Sequence, residues 1–292
     1  MVAIAVPRAR AGDLLELTKP RIVVMVVATA AAGFYLAAAG AIDPLLFLHT
    51  VIGTTLVAAG TNALNQVAER DVDALMRRTA QRPLPAGRLS AASGAGFAWF
   101  LGGAGIAYLA AMVNAPTALV AAATLLTYVF CYTPLKRRTS LSTLIGGIPG
   151  ALPIVGGWTA AGGGLGPQVW VLFWILFLWQ LPHFLALAWL YREDYARAGL
   201  QVLSVGDEDG TSTFRQAALY ACALLPVSLA PTLTGVTGAL YFFGAAALSG
   251  WFVLASYRAV RERTTLRARK LFLTSVWYLP ALLLLMVVDK AG

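Results

Sequence analysis

Residues 45–64, LLFLHTVIGTTLVAAGTNAL, run without a charge and end directly in NQVAERDVD at 65–73. An apolar stretch of that length crosses a bilayer as a helix, since each helical residue rises 1.5 Å and the hydrocarbon layer is about 30 Å thick. The sudden carboxylates then mark its exit into water. Outward from this stretch the pattern recurs, with spans predicted at 22–39, 45–64, 91–111, 115–134, 141–161, 169–190, 216–234, 238–257 and 271–289. Of the 292 residues, 59% are hydrophobic and 12% charged, too apolar for the solvated surface of a water-soluble domain. Helices satisfy every backbone polar group without water. The expectation is an all-α membrane protein, nine transmembrane helices in one integral-membrane domain over 1–292.

The connections alternate in charge. Gly40–Pro44, Met112–Pro116, Ala161–Gln168 and Thr234–Thr237 are short and carry no Lys or Arg, and of the 22 cations only Lys290 falls on their side. By the positive-inside rule the N-terminus, Arg8 and Arg10 included, and the long loops are cytoplasmic. The net charge of +9 is thus mostly topology, and cations spread over juxtamembrane loops present no surface to nucleic acid. The leader lacks an apolar core with a small-residue cleavage site and is not Ser-rich, which points to a bacterial cytoplasmic (inner) membrane, multi-pass, with membrane lipid as surroundings. Cys131 and Cys222 match no metal or redox spacing and read as packing residues.

Chemistry concentrates where helices leave the membrane. Asn65, Glu69 and Asp73 are spaced by four, so they form one stripe on a helix, roughly 6 Å apart per step. Glu193 and Asp194 follow the sixth span and open to the same cytoplasmic side. Hard oxygen ligands in such a row suit Mg²⁺, which prefers one or two carboxylates plus substrate phosphate oxygens. Carboxylates at a helix end are also cheap and often mean nothing. The next stretch weighs against that, because Arg77, Arg78 and Arg82 stand one or two turns further on. Carboxylate, metal, phosphate and guanidinium alternate in charge, an arrangement that stabilises a departing diphosphate.

The motif Asn65-x3-Glu69-x3-Asp73-x2-Met76-x-Arg78-Thr79-x2-Arg82-Pro83 resembles the UbiA superfamily of intramembrane prenyltransferases. So do Leu17-Thr-Lys19-Pro20-Arg21, Tyr132-Thr133-Pro134-Leu-Lys136-Arg137, Ile145-Gly-Gly147 through Gly157-Trp158, Trp179-Gln180-x-Pro182-His183-Phe184 and Asp194-Tyr195-x2-Ala198-Gly199. Glu69 stands where many members carry Asp, and Ala198 where many carry a second acid; both features resemble the heme-modifying branch. The resemblance implies a UbiA-type bundle that is Mg²⁺-dependent, with farnesyl diphosphate as donor and a vinyl group of heme B as acceptor, among membrane proteins of heme synthesis. On that likeness Asn65, Glu69, Asp73 and Asp194 hold the metal, and Arg78, Arg82, Lys136 and Arg137 clamp the diphosphate. An aromatic acid, a quinone precursor or chlorophyllide are the alternative acceptors.

His183 lies inside an apolar span, where an ionisable residue is expensive. It is expected either to contact the heme or to bond a neighbouring helix. The cations from Arg258 to Lys270 have no matching motif and read as an orientation signal or an anionic-lipid contact. A polyprenyl-phosphate or cation transporter is the rival from another class, but its acids would lie near the midplane instead of at helix ends. A reporter fused after Ala198 should read cytoplasmic and one after Gly164 external. An external signal at Ala198 would separate the two acidic clusters and dismantle the site.

Overall fold

The computed structural model describes residues 10–291, so Arg8 and the rest of the expected cytoplasmic leader lie outside the described residues. In chain order the elements are α1 (Ala11–Leu17), α2 (Pro20–Ala37), α3 (Pro44–Leu75), α4 (Ala91–Met112) and α5 (Ala115–Leu126), which runs through a π-helical turn (Thr127–Tyr132) into α6 (Thr133–Leu135). Then come α7 (Ser142–Ala160), α8 (Pro167–Leu190), α9 (Arg192–Arg197), α10 (Leu203–Gly206), α11 (Thr211–Leu233), α12 (Ala239–Glu262) and α13 (Thr265–Val288). Among the described residues these make nine long helical segments, counting α5 to α6 as one. Eight are long and apolar enough to cross a membrane. The ninth, α7, is diluted by Gly146, Gly147, Gly150, Gly156, Gly157, Pro149 and Pro153, and is buried along most of its length.

Local chemistry sets the helix starts. Asp43 caps α3 by accepting from the Leu45 amide at 2.8 Å, with Pro44 in the first turn, where its missing N–H does no harm. Asn114 does the same for α5 at Thr117, 2.9 Å, and Ser90 for α4 at Ser93, 3.1 Å. Apolar length locates a bilayer crossing, not the helix end. The span expected at 45–64 accordingly continues unbroken to Leu75, and α11, α12 and α13 also reach beyond their apolar stretches.

Two cores divide the bundle. One gathers side chains of α7, α8, α11, α12 and α13, including the fully buried Phe252 and Tyr278; the other joins α3, α4 and α5. Glycine lets helices touch across the bundle: a Cβ on Gly33 would run into the Ile154 carbonyl, and one on Gly157 into that of Ala30. The axes of α2 and α7 therefore approach as closely as small residues allow. Cys131 and Cys222 are exposed on the bundle surface, correcting the packing expectation; a thiol is apolar enough to face lipid.

Gly157→Ala should destabilise the protein by about 1–3 kcal/mol, because a backbone carbonyl cannot step aside. Gly103→Ala, which meets nothing within 4 Å, should be neutral or slightly stabilising through helix propensity. Thermal unfolding in detergent reads both, and equal midpoints would refute the close α2–α7 contact.

Candidate active site

One face of α3 carries both the wall and the head of the site. Thr54, Val57, Ala58, Thr61 and Asn62 line a mainly apolar cavity of about 260 Å³, and Asn65, Glu69 and Asp73 continue up the helix at spacings of four. At 1.5 Å per residue, Thr54 to Glu69 spans roughly 22 Å. Ile22 and Val26 of α2, Pro149 and Gly150 of α7, and Gln180 and Phe184 of α8 close the cavity, with Tyr128 and Tyr132 at the π turn. That turn has a local cause. Pro134 has no N–H for the helix, and the widened geometry lets the Thr133 hydroxyl donate to the Tyr128 carbonyl at 2.8 Å.

The three polar residues of α3 are buried, with Asn65 and Asp73 only 1% exposed, and each meets a cation. Lys19 Nζ donates to Asn65 Oδ1 at 2.9 Å, Lys136 Nζ to Glu69 Oε1 at 2.8 Å and Arg82 Nη1 to Asp73 Oδ2 at 2.7 Å. Asn65 Nδ2 also donates to Thr133 Oγ1 at 3.2 Å, tying α3 to the π turn. Lys136 lies over the Tyr132 ring, 4.5 Å from its centroid. Burial, and then the Arg82 guanidinium, lower the Lys19 ammonium to about 7. Burial presses Lys136 the same way, but the Glu69 carboxylate overrides it and holds Lys136 well above its ordinary value.

Lys19 went unassigned by sequence reasoning, although its Leu-Thr-Lys-Pro motif was legible. Its backbone is left-handed, φ 54°, a conformation that costs a non-glycine residue roughly 1–2 kcal/mol. The turn between α1 and α2 demands it, and the product is an ammonium delivered to Asn65. A lysine beside a proline before a span otherwise reads as an interface anchor.

The remaining expected residues scatter around this cluster. Val72 and Met76 pack with Ala198 and Leu200, and the Gln201 amide donates to the Lys136 carbonyl at 2.8 Å, so the loops after α3, α6 and α9 meet in one cap. Within it Asp194 accepts from Arg197 at 2.7 Å and from the Arg77 amide at 3.4 Å, at the rim. Arg78 is exposed over the Tyr191 ring, and Arg137 is exposed. His183 points elsewhere: its Nδ1 is 2.8 Å from Ser275 Oγ of α13, and its ring stacks on Trp179 and lies tilted against Phe272. Its helix neighbours Gln180 and Phe184 line the cavity, whereas His183 occupies the α8–α13 seam. His49 of α3 bonds the Tyr108 hydroxyl of α4 at 2.7 Å.

A mainly apolar chamber thus lies under a buried cluster of carboxylates and cations. Residues 26–279 match the UbiA prenyltransferase family. The chain belongs to that family. Protoheme IX farnesyltransferase of Solibacter usitatus (strain Ellin6076) is 50% identical over 289 residues, covering 96% of this chain and 99% of that protein. The protein of the same name from Salinibacter ruber (strain DSM 13855 / M31) is 45% identical over 277 residues, covering 95% and 98%. A solved structure of digeranylgeranylglyceryl phosphate synthase aligns with TM-score 0.80 at 19% identity, over 95% of this chain and 97% of that one. A UbiA homolog from Archaeoglobus fulgidus bound to DMAPP and Mg²⁺ aligns at 0.68 and 14% identity, over 94% and 99%. These two likenesses establish a common fold.

In this UbiA-family chain no three His, Cys, Asp or Glu side chains converge on a metal position among the described residues. A closed protein cage is therefore not the pattern. The donor set instead fits a cation completed by a substrate's oxygens, since Asp73 Oδ1 is buried with no hydrogen-bond partner while its sister oxygen is held by Arg82.

The Glu69–Lys136 contact yields a double-mutant test. Glu69→Gln or Lys136→Met alone should destabilise by about 3–5 kcal/mol, because each strands a buried charge, and the double variant should recover much of the loss. Additive losses in thermal unfolding would mean the two residues do not act as a pair.

Proposed function

We propose that this protein transfers a farnesyl group from farnesyl diphosphate to a vinyl group of heme B, releasing diphosphate and giving heme O, in the bacterial inner membrane. The observation that carries the reading is the continuity of one α3 face, from an apolar chamber into a buried set of carboxylates and cations. The name shared by relatives 50% and 45% identical supports the donor and acceptor.

Asn65, Glu69 and Asp73, with Asp194 at the rim, would hold Mg²⁺, which when bound supplies positive charge to the diphosphate oxygens. The Archaeoglobus homolog bound to DMAPP and Mg²⁺ supports a divalent metal in this fold. In our reading Lys136, Arg82 and Lys19 neutralise the diphosphate as the allylic C–O bond breaks and its electron pair leaves with oxygen. The exposed Arg78 and Arg137 guide the diphosphate in from the water side. The apolar walls hold the isoprenoid and exclude bulk water from the allylic cation. The acceptor's terminal vinyl carbon then bonds to the farnesyl C1, and the resulting cation takes hydroxyl from one water, releasing a proton. Any contact of His183 with the porphyrin would be made from the α8–α13 seam, not from within the chamber.

Purified protein given farnesyl diphosphate, hemin and Mg²⁺ should produce a heme heavier by one farnesyl and one hydroxyl group. Asp73→Asn and Glu69→Gln should abolish that product while still inserting in the membrane. Product formed at wild-type rates by either variant would defeat the assignment of these carboxylates.

A further inference from the structure

Of the six cations from Arg258 to Lys270, two are held by carboxylates. Arg267 is paired with Glu262 at 2.8 Å, and Arg263 turns away to Asp209 at 2.9 Å, where its left-handed φ of 47° ends α12. Both nearby carboxylates are thereby used. Arg258 and Arg261 are exposed and meet no carboxylate within ion-pair distance among the described residues.

These two arginines line a groove of about 460 Å³ together with Leu254, Tyr257, Glu262 and Arg267. On α12, Leu254 precedes Arg258 by one turn and Tyr257 precedes Arg261 by one turn, giving two parallel columns with an apolar lower end and a cationic upper end. Leu254 and Tyr257 are 44% and 55% exposed, so the apolar ends are open to the bilayer. The cationic ends lie at the end of α12 where Arg263 meets Asp209. We propose that this groove is a binding site for an anionic phospholipid, its phosphate held between Arg258 and Arg261 and an acyl chain laid along Leu254 and Tyr257. A nucleic acid or a free phosphate would use the cations and leave the apolar floor idle. A diffuse positive-inside charge would need no groove and no column of apolar partners.

The test is native mass spectrometry of the detergent-purified full-length protein with phosphatidylglycerol or phosphatidylcholine of the same acyl chains. The wild type should retain phosphatidylglycerol preferentially. Arg258→Gln with Arg261→Gln should weaken that lipid about 30-fold, the effect of two basic residues at about 1 kcal/mol each, and each single change about fivefold. Arg138→Gln with Arg215→Gln removes the same charge from exposed sites on the same side and should change binding little. The proposal is overturned if both lipids bind equally, if the control pair weakens binding as much, or if glycerol phosphate competes as well as the whole lipid.

Discussion

A carboxylate buried beside an apolar chamber has to be paired, and this end of the bundle is built around that constraint. Stranding one such charge costs several kcal/mol, comparable to the net stability of an ordinary domain. Asp73 and Glu69 sit on one helix, but their cations come from separate parts of the chain: Arg82 from the loop after α3, Lys136 from the end of α6. Lys19, ahead of α2, adds a third at Asn65. Closing these contacts folds three connecting segments over the chamber mouth. The same charges make the site responsive to a polyanion, because cations now held by carboxylates can be shared with incoming phosphate oxygens.

Packing puts that cluster where it is useful. The glycines at the α2–α7 contact draw two helices together, while Gly146 and Gly150 of α7 let Tyr132 and Gln180 pack close at the chamber wall. Pro134 unwinds the end of α5 into a π turn, which brings Tyr128 and Tyr132 to the chamber and Lys136 above it. The chamber walls are mainly apolar, and exclusion of bulk water is what an allylic cation requires.

Much of this was legible in the residues. Apolar length gave the nine helical segments and their order, and the spacing of Asn65, Glu69 and Asp73 gave one helical face, because both depend on local periodicity. What escaped depended on tertiary contacts. The sequence of α3 announces where apolar residues stop, but the helix runs on to Leu75 since nothing in 65–75 breaks it. Lys19 carried no assigned role until its left-handed turn brought it to Asn65. His183 was visible as a costly residue at membrane depth, yet which of two helix faces it occupied could not be read from α8, which is apolar all round. Asp194 was legible as an acid at a helix end, and only the folded loops reveal that it meets Arg77 and Arg197 at the rim.

The central claim is that the buried carboxylates bind a prenyl diphosphate through a divalent cation. Equilibrium binding of a non-reacting farnesyl thiodiphosphate to the purified protein, with and without Mg²⁺, tests it most directly, with Asp73→Asn and His183→Ala measured alongside. The account predicts Mg²⁺-dependent binding in the wild type, its loss in Asp73→Asn and its survival in His183→Ala. Binding that ignores Mg²⁺, or that persists unchanged in Asp73→Asn, would contradict it.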